Sequence, residues 1–161
     1  DLAKERKYVR DVEIETDVEM YIPDDYVDII QERLNLYTEL DSIENETQLT
    51  EYQSKLTDRF GKIPKATMEL FEGLRLRWIS KKLGLERIVL KDSKLRAYFV
   101  TNPQSTFYET ETFKQIIQLI NSPVGIREKI SLKQSSKSLI VVKDNVKTLK
   151  MAREVLEKLL L

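Results

Sequence analysis

The sequence predicts an α+β fold in which an N-terminal strand and three helices precede two strand-strand-helix units, forming a single compact domain over residues 1–161. Three observations predict this class. Apolar residues first alternate with acidic ones, then recur every three or four positions, and finally fall into short paired segments. The change of pattern also allows a subdivision into a mainly helical part, 1–84, and a part with both strand-strand-helix units, 85–161.

The first element is predicted to be a half-buried strand. Even-numbered positions from Val12 to Ile22 are mostly apolar and odd-numbered ones mainly acidic, and Pro23 ends the pattern. The acidic positions are Asp11, Glu13, Glu15, Asp17 and Glu19. In a strand they share one face. We interpret that row as a solvated strand face rather than a metal site, because half-buried strands require the same alternation.

Asp24 and Asp25 are predicted to cap a first helix that runs to about Leu40. The residues that recur on it at spacings of three and four are Ile29, Ile30, Arg33, Leu34 and Tyr37. This periodicity is typical of a helix with one face against a core.

Two further helices follow. Asn45, with Gln48 three residues later, resembles a capping box and opens a second helix through Leu49, Tyr52 and Leu56. A third helix is predicted from Pro64 to Leu83, closed by Gly84. Its apolar residues are Met68, Leu70, Phe71, Leu74, Leu76, Trp78, Ile79 and Leu83. They cover most of the helical circumference, which predicts the central helix of the domain.

The corner between the second and third helices is the most informative stretch, and it reads Thr57-Asp58-Arg59-Phe60-Gly61-Lys62-Ile63-Pro64. Gly61 is predicted to have positive φ at the helix end, and Pro64 lies where a first-turn proline costs no hydrogen bond. Asp58 is out of place, because a carboxylate in the last turn faces the negative end of the helix dipole at a cost of about 0.3–1 kcal/mol. Local pairing with Arg59 or Lys55 is one explanation, and a partner elsewhere is the other.

The second half predicts two strand-strand-helix units. Segments 85–91 and 94–100 form the first strand pair, followed by a helix from about Glu111 to Ile120. Segments 127–133 and 138–143 form the second pair, and Asp144 is predicted to cap a last helix. The apolar residues in that last stretch are Val146, Leu149, Ala152, Val155, Leu156 and Leu159.

Composition argues against catalysis. The chain has no His and no Cys, which removes the usual general base, thiolate nucleophile and transition-metal ligands. Its 4 Gly cannot build a glycine-rich phosphate loop. We therefore expect no catalytic residue, no metal site and no bound ATP or Zn²⁺. Without an apolar spanning or signal segment, a cytoplasmic protein with no membrane contact is expected, and a start at Asp1 suggests a domain cut from a longer polypeptide.

Charge is unevenly distributed. Residues 1–60 hold 17 acidic and 7 basic side chains, while residues 61–161 hold 10 and 20, so the halves carry net charges of minus ten and plus ten. The two halves could neutralise each other, or the basic half could meet an acidic partner such as nucleic acid.

One cluster combines cations with an aromatic ring, as single-strand nucleic-acid sites do. Its residues are Arg75, Arg77, Trp78, Lys81 and Lys82. At 100° per residue Arg75 and Arg77 lie about 160° apart, and Trp78 falls within the apolar arc, so a core role for Trp78 is the preferred interpretation.

Three motifs, in order and spacing, resemble the C-terminal domain of bacterial transcription-repair coupling factor. They are Ile22-Pro23-Asp24-Asp25-Tyr26, Arg33-Leu34-Asn35-Leu36-Tyr37, and Leu56-Thr57-Asp58-Arg59-Phe60-Gly61 with Pro64. Asn45 and the Leu83-Gly84-Leu85 segment fit the same pattern. The resemblance is specific over about 12–85, whereas over 86–161 mainly the order of elements agrees.

The resemblance implies a regulatory role. The parent would be an ATP-dependent DNA translocase, using ATP and Mg, that removes stalled RNA polymerase and recruits excision repair. This domain would mask the UvrA-binding module of the same polypeptide until the translocase engages polymerase. The masking contact maps onto Asp58 and Arg59. Lys55 departs from the family pattern, which commonly has Glu. This charge reversal implies that a different residue faces it, or that the facing residue has changed sign too.

Overall fold

The computed structural model describes residues 8–160 and shows the predicted α+β fold, with a five-stranded sheet and six α-helices in that range. In chain order the elements are β1 (Glu13–Thr16), α1 (Ile30–Asp41), α2 (Glu46–Phe60), α3 (Lys65–Lys82), β2 (Leu85–Lys91), β3 (Lys94–Phe99), α4 (Glu111–Ile120), α5 (Pro123–Arg127), β4 (Ser131–Gln134), β5 (Leu139–Asp144) and α6 (Leu149–Lys158). A short 3-10 helix, Thr106–Glu109, precedes α4.

The strand order in the sheet is β1-β2-β3-β5-β4, in which β1 runs parallel to β2 and the other neighbours are antiparallel. The chain folds as two compact units. A helical unit contains residues Glu19–Leu74, and a sheet unit contains the residues up to Val18 and those from Arg75 onward. Helix α3 contributes residues to both.

In the helical unit, α2 has the predicted structure. The Asn45 side chain accepts a hydrogen bond from the Gln48 amide at 2.9 Å, which starts the helix. Leu49, Tyr52 and Leu56 form its buried stripe. The Tyr52 hydroxyl donates to the Leu36 carbonyl on α1 at 2.9 Å, and burial raises the pKa of this hydroxyl. Helix α2 is therefore fixed against α1 along its buried side.

In the sheet unit, one face of the sheet is buried, whereas the other carries mainly half-buried and exposed side chains. The buried side chains of the three central strands are Ile88, Leu90, Leu95, Ala97, Phe99 and Val141. Those of α4 and α6 are Ile116, Ile120, Leu149, Ala152, Val155 and Leu156. The stripe predicted for the last helix is thus confirmed. Asp92 and Ser93, with φ of 53° and 58°, form the tight turn that the first strand pair predicted.

The N-terminal strand is shorter than predicted, because β1 ends at Thr16 instead of continuing to Ile22. The Thr16 hydroxyl accepts a hydrogen bond from the Val18 amide at 3.1 Å and so bends the chain. Beyond the bend, the Tyr21 amide donates to the Ala66 carbonyl on α3, and the Ile22 amide to the Tyr37 hydroxyl on α1. These residues bond to helices rather than to a neighbouring strand.

The predicted start and apolar face of the first helix are both wrong. Residues Asp24 to Tyr26 form a turn on the Pro23 carbonyl, and the helix begins at Ile30 without a side-chain cap. Its buried residues are Leu36 and Leu40. The predicted apolar positions Ile29, Ile30 and Leu34 are instead exposed.

Two predictions in the second half also need correction. Segment 127–133 was expected to be a strand, but Ser122 and Pro123 open the short helix α5, and β4 starts only at Ser131. Asp144 does not cap the last helix; it ends β5, and the Thr148 hydroxyl accepts the capping hydrogen bond from the Met151 amide at 3.0 Å. In both regions, the helix is capped by a hydroxyl side chain, Ser122 or Thr148, that the sequence analysis did not identify.

The burial predicted for the third helix is confirmed for most of its apolar residues. Phe71, Leu74, Leu76, Ile79 and Leu83 are buried, whereas Met68 is exposed. Trp78, expected in the core, is half-buried. Gly84 follows the helix with φ of 72°, as its place at the helix end predicted.

Candidate contact site at the Gly61 corner

Helix α2 presents Lys55, Asp58 and Arg59 on one exposed flank of its last turns. The buried stripe that ends at Leu56 fixes the rotation of the helix. At 100° per residue the three side chains fall within an arc of about 100° on the solvent side. The structure thus brings together the three residues that the sequence assigned to an interdomain contact.

Two of these residues make ion pairs with α1. Lys55 Nζ lies 2.6 Å from both carboxylate oxygens of Glu39, and Arg59 Nη2 lies 3.7 Å from Glu32 Oε2. All four side chains are substantially exposed, so each pair contributes at most about 1 kcal/mol. The two ion pairs link α1 to α2.

Asp58 differs from its neighbours. Its side chain is exposed, and no hydrogen bond or ion pair from residues 8–160 reaches its carboxylate. Neither Arg59 nor Lys55 provides the local pairing that the sequence left open, because both pair with α1. The unfavourable position of the carboxylate at the negative end of the helix dipole is therefore uncompensated within the described residues.

The corner behind Asp58 is held by aromatic packing. The Tyr26 hydroxyl donates to the Gly61 carbonyl at 2.8 Å and approaches the Leu56 carbonyl at 3.3 Å. Its ring lies 5.8 Å from the Phe60 ring, and the Arg59 guanidinium lies over Phe60 at 4.9 Å. Burial raises the pKa of Tyr26, so the hydroxyl remains a donor at neutral pH.

Gly61 and Pro64 turn the chain. Gly61 has φ of 89° and ψ of −160°, so its positive φ is confirmed, and the residue lies in the extended region that is essentially restricted to glycine. The Pro64 carbonyl accepts from the amides of Thr67 and Met68 at 3.1 and 3.0 Å, which starts α3. The corner therefore has a defined backbone geometry.

Sequence reasoning missed Tyr26, Glu32 and Glu39 as parts of this site. Tyr26 belongs to a motif that carried the family resemblance, but nothing in its spacing indicated a bond to Gly61. A cleft of about 350 Å³ adjoins Lys55, lined by Glu39, Glu51 and Tyr52 among others. The exposed surface thus combines the Asp58 carboxylate, which has no partner among residues 8–160, with Lys55 and Arg59, which are ion-paired to α1, and with the cleft beside Lys55.

The other predicted sites do not converge in this way. Glu15 is ion-paired with Arg87 at 2.7 Å on the neighbouring strand, and among residues 8–160 no three acidic side chains come together as metal ligands would. Arg77 lines a cleft with Asp11, Glu13 and Glu86, so it faces carboxylates. Within the same range, no helix is long and apolar enough to cross a membrane.

Comparison with known proteins identifies the family. The model of the TRCF domain matches residues 16–110, more than half of the chain. The chain belongs to the TRCF domain family. The match includes the whole Gly61 corner, and it confirms the resemblance on which the site prediction depended.

Relatives named transcription-repair-coupling factor agree with this assignment. One from Staphylococcus haemolyticus is 25% identical over 92% of this chain, and one from Haemophilus influenzae is 31% identical over 66% of it. A third, from Escherichia coli, is 33% identical over 47%. The chain spans only about a tenth of the length of these relatives, at 13%, 9% and 7% respectively.

The TRCF-domain fold is also shown by a solved structure. A crystal structure of the C-terminal domain of transcription-repair coupling factor matches with a TM-score of 0.67 and 22% identity, covering 93% of this chain and 95% of that one. The similarity therefore includes the second half of the chain, where the sequence resemblance was weakest.

Proposed function

We propose that this TRCF domain is a non-catalytic regulatory clamp of a longer transcription-repair coupling factor. It masks the UvrA-recruiting module of the same polypeptide through the Gly61 corner until the translocase engages stalled RNA polymerase. The observation that carries the proposal is the exposed carboxylate of Asp58, which has no partner among residues 8–160. It lies near the negative end of the α2 dipole, next to a corner that the Tyr26–Gly61 hydrogen bond stabilises.

The local geometry suits a reversible contact. A basic residue of the masked module would relieve the unfavourable dipole interaction of Asp58 and gain a charge-assisted hydrogen bond. Arg59 lies 3.7 Å from Glu32, too far for a strong hydrogen bond, so it can turn toward a partner with little loss. Lys55 is held by Glu39 at 2.6 Å, which supports a role within this domain rather than a contact with the masked module.

The energy required is small. Keeping about 99% of the molecules masked needs an advantage of about 2.7 kcal/mol, because each 1.4 kcal/mol is a factor of ten. Charge-assisted hydrogen bonds contribute about 1.5–3 kcal/mol each. Two such bonds at Asp58 and Arg59 would account for the closed state, and their loss would release the module.

The test is UvrA binding by the full-length parent carrying Asp58→Ala and Arg59→Ala together. We expect unmasking, seen as tighter UvrA binding, while the melting temperature of this domain stays nearly unchanged because the side chains are exposed. Lys150→Ala with Glu154→Ala on α6 is a matched control, since it also removes one exposed cation and one exposed anion. Unchanged UvrA affinity in a folded Asp58/Arg59 variant would assign the mask to another face.

A second candidate function, nucleic-acid binding, is favoured by cations on the less buried face of the sheet. The strand register places Arg96 and Tyr98 of β3 opposite Val142 and Ile140 of β5, and Lys94 opposite Asp144. Lys133 of β4 lies opposite Ile140, and all three cations are exposed. A basic surface with an aromatic ring is typical of single-strand binding.

The two candidates are separated by salt dependence. A phosphate-binding face would bind single-stranded DNA at low salt and lose affinity steeply as salt rises. The Lys94→Gln, Arg96→Gln and Lys133→Gln triple variant should abolish that binding, while Lys81→Gln with Lys82→Gln serves as the control. No binding by the wild-type chain at low salt would eliminate this candidate.

A further inference from the structure

A second surface of the helical unit exposes large apolar side chains. Ile30 is 66% exposed, Ile29 and Leu34 are each 54% exposed, and Tyr21 is 46% exposed. Isolated exposed apolar residues are common, but contiguous groups mark interaction sites. We refer to these four residues as the α1 apolar stripe.

The members of the stripe are neighbours. Ile30 and Leu34 are four residues apart and lie within about 40° on α1, and Tyr37 continues the same line one turn later. The Ile22 amide donates to the Tyr37 hydroxyl at 2.7 Å, which places the extended segment beside α1. Tyr21, which precedes Ile22, is itself exposed and lies on this segment near the Tyr37 end of the stripe.

The stripe is distinct from the Gly61 corner. Glu32 and Glu39, which pair with Arg59 and Lys55, lie on the flank of α1 that faces α2. Ile30 lies about 160° from Glu32 around the helix axis. The two surfaces are therefore on opposite flanks of α1, and a partner can occupy one without covering the other.

The surroundings of the stripe are acidic. Glu19, Asp28 and Asp41 are exposed, and no hydrogen bond or ion pair to their carboxylates occurs within residues 8–160. The nearest cation on α1, Arg33, is directed inward and donates to the Val27 carbonyl at 2.6 Å. The helical unit as a whole has 13 acidic and 5 basic side chains, a net charge of −8.

We infer that the α1 apolar stripe binds a basic amphipathic helix of a protein partner. Apolar side chains of that helix would pack between Ile30, Leu34 and Tyr21, and its flanking Lys or Arg residues would face Glu19, Asp28 and Asp41. Ile30, Leu34 and Tyr37, at spacings of four and three residues along about 10 Å of α1, match the ridges and grooves of helix packing. Nucleic acid does not fit, because the surface is negative.

The test uses two synthetic helical peptides of about 14 residues with the same leucine stripe. One carries lysine and the other glutamate at every remaining position, and binding to the 161-residue chain is followed by fluorescence anisotropy. The lysine peptide should bind and the glutamate peptide should not. Ile30→Ser with Leu34→Ser should weaken binding at least tenfold, whereas Val124→Ser with Ile126→Ser, exposed aliphatics of α5, should have no effect.

A second variant tests the charges without altering the apolar residues. Glu19→Gln, Asp28→Asn and Asp41→Asn together should weaken binding of the lysine peptide at low salt and reduce its salt dependence. Equal binding of both peptides, or unchanged binding by the Ile30/Leu34 variant, would overturn the proposal. Sedimentation equilibrium tests whether a second copy of this chain occupies the stripe. If the wild-type chain forms a dimer and the Ile30/Leu34 variant does not, the stripe serves self-association, and this result too would overturn the proposal.

The inference is independent of the masking function. Peptide binding is measured on this chain alone, and Asp58→Ala with Arg59→Ala should leave it unchanged. A failure of masking in the parent therefore says nothing against the stripe, and a failure of peptide binding says nothing against the mask.

Discussion

The hydroxyl of Tyr26 donates a hydrogen bond to the carbonyl oxygen of Gly61 across 2.8 Å. This bond joins the turn before α1 to the end of α2, two segments 35 residues apart in the chain. It places a half-buried aromatic side chain at the end of the helix that carries the exposed carboxylate of Asp58. Tyr26 therefore helps to fix the geometry of the candidate contact site, although it adds no charge to it.

Tyr26→Phe should lower the free energy of unfolding by about 0.5–1.5 kcal/mol, because it removes the hydrogen bond and keeps the ring against Phe60. Urea denaturation of the isolated chain measures the change. Tyr21→Phe is the matched control, since Tyr21 is exposed and makes no side-chain hydrogen bond within the described residues. Equal losses in both variants would show that the Tyr26 bond does not stabilise the corner.

Gly61→Val should destabilise the fold by more than 1 kcal/mol. At φ of 89° and ψ of −160° the backbone is in a region that is essentially restricted to glycine, at a cost of about 1–3 kcal/mol for other residues. A Cβ at this position meets nothing within 4 Å, so Gly61→Ala should show almost the same loss from the backbone alone.

Gly73→Ala provides the comparison for Gly61. Gly73 lies within α3, and an added Cβ would be in ordinary contact with Met20 at 3.4 Å. Alanine has the higher helix propensity by about 0.8–1 kcal/mol, so this variant should be neutral or more stable. Chemical denaturation of Gly61→Ala and Gly73→Ala in parallel measures the difference. Equal midpoints for the two variants would contradict the explanation from backbone conformation at Gly61.

The α2 segment could be predicted from the sequence because every signal for it is local. The Asn45 cap, the stripe at Leu49, Tyr52 and Leu56, and the glycine at the helix end all lie within 17 residues. Helix α1 could not be predicted in this way, because it carries two apolar stripes. Leu36 and Leu40 are buried while Ile30 and Leu34 are exposed, and both pairs have a spacing of four. Periodicity identifies an apolar face but not which face the core covers.

The candidate site shows the same division between local and long-range information. Its exposed members, Lys55, Asp58 and Arg59, follow from the rotation of α2, which the sequence determines. The partners Glu39 and Glu32 lie 16 and 27 residues earlier on another helix, so pair rules within a single helix cannot find them. The sequence also placed caps at Asp24 and Asp144, although other residues start those helices.

Gly84→Ala should destabilise the sheet unit more than Gly61→Ala destabilises the corner. The positive φ of 72° costs energy as before, and the new Cβ would lie 2.3–2.5 Å from ring atoms of Phe107. That ring is 1% exposed and packs edge-on against Tyr108 and Phe113, so it cannot move aside. A loss of about 2 kcal/mol or more is expected from strain and overpacking together.

A double variant separates the two causes at Gly84. Phe107→Leu removes the ring, so Gly84→Ala should cost less in that background, and the remaining loss should reflect the positive φ alone. Denaturant midpoints of the four proteins complete the cycle. Strictly additive losses would show that contact with Phe107 does not determine the requirement for glycine.

Glu69 of α3 gives the pH prediction. One of its carboxylate oxygens, Oε2, is buried and lacks a hydrogen-bond partner among the described residues. Burial raises the pKa of Glu69, and the negative charge of Glu72 raises it further, while Lys65 partly opposes both. The folded state thus favours the protonated carboxyl. Its favourable contribution is fully present below the ordinary value of 4.5 and is lost as the pH rises through the folded pKa.

Glu69→Gln should therefore stabilise the domain at pH 7.5, because the amide keeps the shape and removes the buried charge. The amide leaves a polar atom at the same unpaired position, so the gain comes from the removed charge alone. Because Glu69 is only half-buried, that gain is about 1 kcal/mol or less, at most about 2–4 °C in melting temperature. At pH 4 and below the gain should vanish, since wild-type Glu69 is then protonated in the folded state. Glu51→Gln on the exposed side of α2 controls for the change in net charge. Thermal melts at both pH values decide the matter, and a gain from Glu69→Gln that is equal at pH 4 and pH 7.5 would contradict the role assigned to the carboxylate.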